Sequence, residues 1–344
     1  MIGYYVHHQG RGHLHRAMCV ARHTRTPITG LSSLPRPESW SGEWVRLPFD
    51  TDPGAPQPVR DPGAGGRLHW VPLHHDGLRA RMGAIADWIT RTAPSLLVSD
   101  VSAEVTVLAR LMGVPVVVSD MRGDRSDPAH ALAYDIADCL MAPWPEELPE
   151  PGRPLRWRRK TVHTGAFSRY DDRPRPAPAR PKGPPRQVLV MLGAGGSDIS
   201  AAQLRDAARA TPRWDWQVLG GTGPTWCADP WPLLTTADVV ITHAGQNAIA
   251  ECAAARRPAV VIPQHRPHEE QHATARALDT AGLASVRPRW PEPHEWPDVL
   301  AAACRTDGRR WALWAPGDGA SRAAHLLDSL AAQARTGGTT CASR

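Results

Sequence analysis

The sequence predicts an α/β protein of two domains with parallel sheets, and three observations carry that reading. Short apolar runs followed by helix-like stretches recur along the chain, as in Ile2–His7, Ser95–Ser99, Pro115–Ser119, Gln187–Leu192, Val239–Thr242 and Ala259–Ile262. Strands that alternate with helices are the ingredient of a parallel sheet. The chain has 344 residues, 42% of them hydrophobic, which is long for one domain and comfortable for two. Asp171–Arg186 (DDRPRPAPARPKGPPR) is too rich in proline to support a helix or an inner strand. We take 171–186 as a linker between a first domain, 1–170, and a second, 187–335, with a tail at 336–344.

Composition narrows the function. The net charge is +6, and the basic residues are almost all arginine, with lysine only at Lys160 and Lys182. The positive balance suits an anionic substrate or an anionic membrane surface. Nucleic-acid binding is not expected, because the arginines are dispersed and no aromatic-studded basic strand or basic helix motif occurs. The six cysteines are scattered with no CxxC pair, so they read as reduced thiols rather than a disulfide frame or a zinc site. No apolar run approaches the ~20 residues of a membrane span. The N-terminus does not have the form of a signal peptide, and a cytoplasmic location is expected.

In the first domain, Ile2–His7 reads as a buried strand. Gln9-Gly10-Arg11-Gly12-His13 breaks it, and a helix follows over about Leu14–His23. Four histidines crowd this opening: His7, His8, His13 and His15. An imidazole can take a proton at neutral pH, but the residues alone do not choose among the four. Ile28–Ser33 and Val45–Phe49 are strand-like. Asp50-Thr51-Asp52 has the form of a metal-binding DxD but runs into Pro53-Gly54. It reads as a surface turn, and no metal is expected. Pro53–Gly66 is loop, Leu68–Leu73 another strand, and Leu78–Thr92 a helix with apolar positions at helical spacing. His75, Arg79 and Arg81 near its start suit either an anionic ligand or a solvated face.

Ser95–Ser99, a helix over Ala103–Met112 and Pro115–Ser119 form a β-α-β repeat. Ligands in such sheets lie beyond the carboxyl ends of the strands. Asp100, Ser102, Glu104, Asp120 and Arg122 therefore edge the expected cleft, although Asp100 and Asp120 serve equally as caps or loop polars. A helix around Pro128–Ala137 and a strand at Cys139–Ala142 follow. Pro143–Arg159 reads as irregular, and its Arg156-Trp157-Arg158-Arg159-Lys160 run suits a solvated loop or, with the tryptophan inserted, a membrane surface. Thr161–Phe167 reads as the last strand of this domain.

In the second domain, Gln187–Leu192 runs into Gly193-Ala194-Gly195-Gly196-Ser197 and a helix over about Ile199–Arg209. Trp214–Leu219 leads to Gly220-Gly221-Thr222-Gly223. The most informative stretch is 237–275. A strand, Val239–Thr242, stops at His243-Ala244-Gly245-Gln246-Asn247 and an alanine-rich helix continues to about Ala255. Gly245 lets the backbone approach a ligand closely. Free N–H groups and the helix dipole there favour an anion such as a phosphate, to which His243 could add a donor. Glu251, one turn into the helix, could accept from a pair of sugar hydroxyls. Ala259–Ile262 is the next strand, and the loop after it ends in Glu269-Glu270-Gln271, a cluster suited to more hydroxyls. Ala284–Val286 is a last short strand, and helices near Pro293–Cys304 and Gly319–Ala334 close the chain.

The spacing His243-x-Gly245-x-Asn247, then Glu251, then Glu270-Gln271 resembles the nucleotide-sugar-binding region of GT-B glycosyltransferases of the MurG-like, family 28 type. The opening GxGHxxRA (Gly10, Gly12, His13, Arg16, Ala17) and the 193–197 loop resemble the glycine loops of the same family, so the resemblance runs through nearly the whole chain. It implies a GT-B architecture: two Rossmann-like doubly wound domains facing across a cleft, the first for the acceptor and the second for the donor. On the donor side it implies Gly193, Gly195, Gly196, Ser197, His243, Gly245, Gln246 and Asn247 around the diphosphate. Glu251 would then hold the ribose, and Glu270 and Gln271 the sugar. It implies His13 as general base, with Gly12, Asp100, Asp120 and Arg79 on the acceptor side. The implied reaction is inverting, metal-independent transfer of a sugar, N-acetylglucosamine for instance, from a UDP-sugar or TDP-sugar to a hydroxyl of a small-molecule or lipid-linked acceptor. The nucleotide sugar is a substrate, so no cofactor is expected, and peripheral contact with the inner face of the membrane is compatible. A nucleotide-sugar hydrolase or 2-epimerase on the same fold, or a non-catalytic nucleotide-sugar-binding subunit, are the alternatives. His265, His268 and Glu269 depart from the family pattern and leave the sugar open; the short first glycine loop leaves the acceptor open.

Overall fold

The computed structural model describes residues 1–51, 60–174, 186–193, 196–220, 227 and 229–335. Asp52, Gly195, Gly221–Gly223, most of the 171–186 segment and the 336–344 tail lie outside the described residues.

The N-terminal half alternates strand and helix. In order it comprises β1 (Ile2–Tyr5), α1 (Arg11–Ala21), β2 (Ile28–Ser32), β3 (Trp44–Arg46), α2 (Asp76–Thr92), β4 (Leu96–Ser99), α3 (Ala103–Leu111), β5 (Val116–Ser119), α4 (Pro128–Ile136), β6 (Cys139–Ala142), α5 (Leu155–Arg158) and β7 (Thr161–His163). The strands form one sheet in the order β3-β2-β1-β4-β5-β6-β7, and every neighbouring pair is parallel. Runs such as Leu96–Ser99 and Val116–Ser119 are buried throughout, as strands covered on both faces must be. Tyr4, Val6, Ala17 and Val20 pack on one face, and Tyr5, Ile85, Trp88 and Val105 on the other.

The second sheet is built from β8 (Arg186–Met191), α6 (Ala201–Ala210), β9 (Trp214–Leu219), α7 (Trp231–Thr236), β10 (Val239–Thr242), α8 (Gln246–Ala255), β11 (Ala259–Val261), α9 (Glu270–Thr280), β12 (Ser285–Val286) and α10 (Trp296–Cys304). Its order is β12-β11-β10-β8-β9, again parallel throughout. The final helix, α11 (Gly319–Arg335), crosses back to the first sheet. Ala320, Ala323, Leu327 and Ala331 join the core under β1 and α1. The Asp328 carboxylate accepts from the backbone N–H groups of Arg25 at 3.0 Å and Thr26 at 2.9 Å.

In both sheets the first strand lies inside, and the strand order reverses beside it. Those reversals fall between β1 and β4 and between β8 and β10. The crevice beyond the strand ends at such a point is where open parallel sheets bind ligands.

Two expectations are corrected here. Leu68–Leu73 is not a strand. Its backbone is occupied by other partners: the N–H groups of His69 and Trp70 both donate to Glu104 Oε1, at 2.7 and 3.1 Å. The 156–160 run is not a loop, and its tryptophan is not presented at the surface. It forms a helical turn with Trp157 buried in the core, where its indole N–H donates to Asp135 Oδ1 at 2.5 Å. Arg156 pairs with the same carboxylate at 2.6 Å, and Lys160 donates to the carbonyl of Ala137 at 2.6 Å. Among the described residues no helix is long and apolar enough to cross a membrane.

Candidate active site

The turn after β1 is a glycine turn for a steric reason. Gly10 sits at φ 81° and ψ 150° as it caps α1, a conformation closed to side-chain-bearing residues. Two residues on, a Cβ at Gly12 would lie 3.0 Å from Asn247 Nδ2 on α8. The bare backbone thus lets the two halves of the molecule approach.

His13 and Arg16, spaced i, i+3, share a face of α1. That face meets Asp100, which follows β4 and is fully buried. Arg16 grips the carboxylate with two hydrogen bonds, Nε to Oδ2 at 3.2 Å and Nη2 to Oδ1 at 2.8 Å. His13 Nδ1 lies 3.1 Å from Asp100 Oδ1. Burial alone would raise the Asp100 pKa, but Arg16 and then His13 overcome it and hold the group at about 2. With Asp100 an anion, the favoured His13 tautomer donates from Nδ1 and keeps its Nε2 lone pair free. The neighbouring Val101 takes φ 65°, strain that a β-branched residue accepts only where its surroundings impose it. Arg16 also donates from Nη1 to Gln246 Oε1 at the start of α8.

The other histidines of the opening are placed differently. His7 stacks on His8 with ring centroids 5.0 Å apart. Burial, then His13 and His8, push the His7 pKa down to about 3. His15 is lowered to about 4 by burial and by Arg169 and Arg11. His8 has a carboxylate partner, Asp50, but at 3.7 Å. Of these four, His13 has the shortest link to a carboxylate.

On the second sheet, α8 starts at Gln246 with Gly245 as its N-cap and no side-chain cap. Its first N–H groups therefore point toward the crevice as anion donors. His243, at the end of β10, is buried. Its Nδ1 lies 2.9 Å from the Ile262 carbonyl and its Nε2 3.3 Å from Ser197 Oγ. Nδ1 carries the proton toward the carbonyl and Nε2 accepts from the serine. Burial lowers its pKa further below the usual range. His243 thus orients the Ser197 hydroxyl instead of presenting an N–H itself. Glu251 accepts from Arg169 Nε at 2.9 Å, and burial raises its pKa against that pull. Glu270 opens α9 and faces Arg125 at 3.7 Å. Burial raises its pKa too, while Arg125 and Arg16 draw it down. Gln271 Oε1 accepts from the Gln264 N–H at 2.9 Å.

Two cavities meet here. One, of about 500 Å³, lies against the first sheet and is lined by Tyr5, His13, Arg81, Ser102, Arg125 and Gln271 among others. The second, of about 430 Å³, lies against the second sheet, between Gly12, Arg169, Gly193, Gly245, Asn247 and Glu251. His13, Met121 and Glu270 line both.

Several predicted residues lie elsewhere. Arg79 does not face the cleft: it is two-thirds exposed and pairs with Asp76 one turn away at 2.7 Å. Its neighbour Arg81 is the buried one, donating to Tyr5 Oη at 2.7 Å and Ser33 Oγ at 2.6 Å. Asp120 is consumed in structure, accepting from Tyr134 Oη at 2.7 Å and Arg153 at 2.9 Å. His75 caps α2, accepting from the Leu78 N–H at 3.1 Å. Asp50 is no surface turn residue; it is buried, 3.3 Å from Arg81. Gly195 lies outside the described residues. Sequence reasoning missed the charge partners Arg169 and Arg125, for which no local pattern exists. It also missed a cluster of His69, Asp127, His130 and His268, of which the three histidines line the first cavity.

Residues 231–289 match the family described as Glycosyltransferase family 28 C-terminal domain. The chain is 27% identical over 205 residues to the UDP-N-acetylglucosamine--N-acetylmuramyl-(pentapeptide) pyrophosphoryl-undecaprenol N-acetylglucosamine transferase of Rubrobacter xylanophilus. That match covers 54% of this chain and 60% of the relative's length. Among solved structures, the glycotransferase of kitacinnamycin superimposes with a TM-score of 0.66 at 18% identity over 96% of this chain and 98% of the other. The calicheamicin glycosyltransferase CalG4 gives 0.65 at 19% over 96% and 98%. MurG of Acinetobacter baumannii gives 0.57 at 15% over 99% and 96%. These likenesses show the fold.

Proposed function

We propose that this chain, a GT-B-fold protein carrying a glycosyltransferase family 28 C-terminal domain, transfers a sugar from a UDP-sugar to a hydroxyl acceptor. The observation that carries the reading is the position of His13 at the junction of the two cavities, backed by Asp100. A base placed there can reach an acceptor in one cavity and the anomeric carbon of a donor in the other.

In this reading the diphosphate lies over the uncapped start of α8, where backbone N–H groups receive the charge that develops as the sugar leaves. Glu251 takes the ribose hydroxyls, and Glu270 and Gln271 the sugar. His13 Nε2 removes the acceptor proton as the oxygen attacks. Asp100 stabilises the imidazolium, and attack from the face opposite the diphosphate inverts the anomeric centre. N-acetylglucosamine is the donor sugar that the Rubrobacter relative's name favours, and a TDP-sugar is the next to test. The acceptor is a lipid-linked or small-molecule alcohol, since the relatives include both kinds.

Thermal stability with excess UDP, TDP, GDP and ADP in parallel tests the donor site. A ligand at one hundred times its Kd stabilises by about 2.7 kcal/mol. The expected result is a shift with UDP that disappears in Glu251→Ala. No shift with any of the four nucleotides would overturn the donor assignment.

A further inference from the structure

We propose that His69, Asp127, His130 and His268 form a binding site for one divalent transition-metal ion of the zinc class, bridging the two halves of the molecule. The proposal is independent of the reaction assigned above. His69 lies in the loop before α2; Asp127 is the N-cap of α4 and His130 stands in its first turn. His268 comes from the far side of the cleft, in the loop between β11 and α9.

The four side chains place one ligand atom each within 4.8 Å of all the others. His69 Nε2 lies 3.2 Å from Asp127 Oδ1 and 3.1 Å from His130 Nδ1. His268 Nδ1 is 3.6 Å from Asp127 Oδ2, and His130 Nδ1 is 2.6 Å from the same oxygen. A tetrahedral ion with bonds of about 2.0–2.1 Å separates its ligand atoms by about 3.3 Å. Taken through Asp127 Oδ2 as the single carboxylate ligand atom, separations of 2.6, 3.1 and 3.6 Å surround that value. All six lie within 4.8 Å, so closing on an ion asks for side-chain shifts of up to about 1.5 Å. Three imidazoles and one carboxylate are a donor set for zinc, copper, nickel or iron rather than for magnesium or calcium.

The backbone holds His268 in place at visible cost. His268 and Glu269 both take positive φ, 63° and 54°. The His268 carbonyl accepts from the Asp124 N–H at 2.8 Å. It sits where a Cβ on Gly123 would lie 2.1 Å away. Strain of this kind persists where surrounding structure imposes it, and here the contact is made by the other half of the protein. One rearrangement is required. His130 bound through Nδ1 carries its proton on Nε2, so Arg125 Nη1, now 3.4 Å from Nε2, must swing away. Its second nitrogen stays on the Arg122 carbonyl at 2.9 Å. Four protein ligands fill a tetrahedron and leave no open position for substrate. The ion would therefore clamp the loop before α9 to α4 at the rim of the first cavity.

Untagged full-length protein, stripped with a chelator, would be titrated with Zn2+ by calorimetry and with Co2+ by visible absorption. The expected result is one ion per chain, an intense four-coordinate Co2+ band and a rise in Tm with Zn2+. His268→Ala and His69→Ala, one from each side of the cleft, should each weaken binding by at least roughly tenfold, since even outer-shell partners of metal ligands are worth that much. Circular dichroism without metal would show that both variants fold. A missing Co2+ band overturns the site. So does affinity that survives either substitution, because the ion would then not bridge.

Discussion

Replacing Asp100 by asparagine is the most direct test of the arrangement around His13. The residue is fully buried, and among the described residues its charge partners within hydrogen-bond reach are Arg16 and His13. Its pKa, held at about 2 and so below the ordinary carboxylate value, corresponds to stabilisation of the native anion on the order of 2 kcal/mol. The variant loses that. It also turns an amide NH2 toward one of two groups that donate, leaving Arg16 buried beside it, and removing one member of a buried pair costs about 3–5 kcal/mol. We expect Asp100→Asn to be about 3 kcal/mol less stable than wild type at pH 7 in urea unfolding. The sign with pH follows from linkage. The folded pKa is depressed, so the contribution is present above pH 3.8 and lost as pH falls through about 2. The gap between the two proteins should therefore narrow by about 1 kcal/mol at pH 3, because the unfolded wild-type chain then takes up the proton that the native carboxylate still refuses. A loss below about 1 kcal/mol at pH 7, the size of an ordinary hydrogen bond, would refute the reasoning. A gap unchanged between pH 7 and pH 3 would refute it as well. Adding Arg16→Met to the variant should recover stability, since the stranded charge goes with it.

Three further outcomes are expected. His13→Gln should lower kcat for sugar transfer by about 10²–10⁴-fold, the range of a general base, while calorimetry finds UDP affinity unchanged. Gly10→Ala should destabilise by about 1–3 kcal/mol, the cost of holding a side-chain-bearing residue in that backbone region, read from urea midpoints with circular dichroism confirming the fold. Trp157→Ala should destabilise by about 3–5 kcal/mol, as for other buried aromatics, with no change in sedimentation alongside anionic vesicles. A variant that instead lost vesicle binding at full stability would restore the membrane reading of the 156–160 run.

The parallel sheets were legible because both strand types are buried on two faces and so appear as short unbroken apolar runs, such as Val239–Thr242 and Val116–Ser119. The glycine loops were legible because Gly10 and Gly245 meet local steric and helix-end requirements. What failed was information held in tertiary partners. Leu68–Leu73 has strand composition, yet a carboxylate on α3 takes its N–H groups before any strand can. Trp157 among arginines looks exposed until Asp135 is seen to meet its indole and its neighbour Arg156 at once. Arg79 and Arg81 are two apart on one helix and so face different directions. No periodicity says which way the cleft lies. The cluster at 69, 127, 130 and 268 shows one local trace, Asp127 and His130 a helical turn apart. Its other members are separated by the whole topology.

Arg16 links the two cavities. One buried guanidinium holds Asp100 through Nε and Nη2, touches His13 Nδ1 at 3.1 Å, and reaches Gln246 through Nη1. Gln246 is the first residue of the helix whose free N–H groups face the donor cavity. The surroundings of His13 therefore include a residue that also contacts the start of α8. Any displacement of α8 that breaks the Gln246 contact leaves the Arg16–Asp100 pair in place, because that pair lies wholly within the first half of the chain. Gly12 lies at the same junction: a Cβ there would stand 3.0 Å from Asn247 Nδ2 and require that amide to shift.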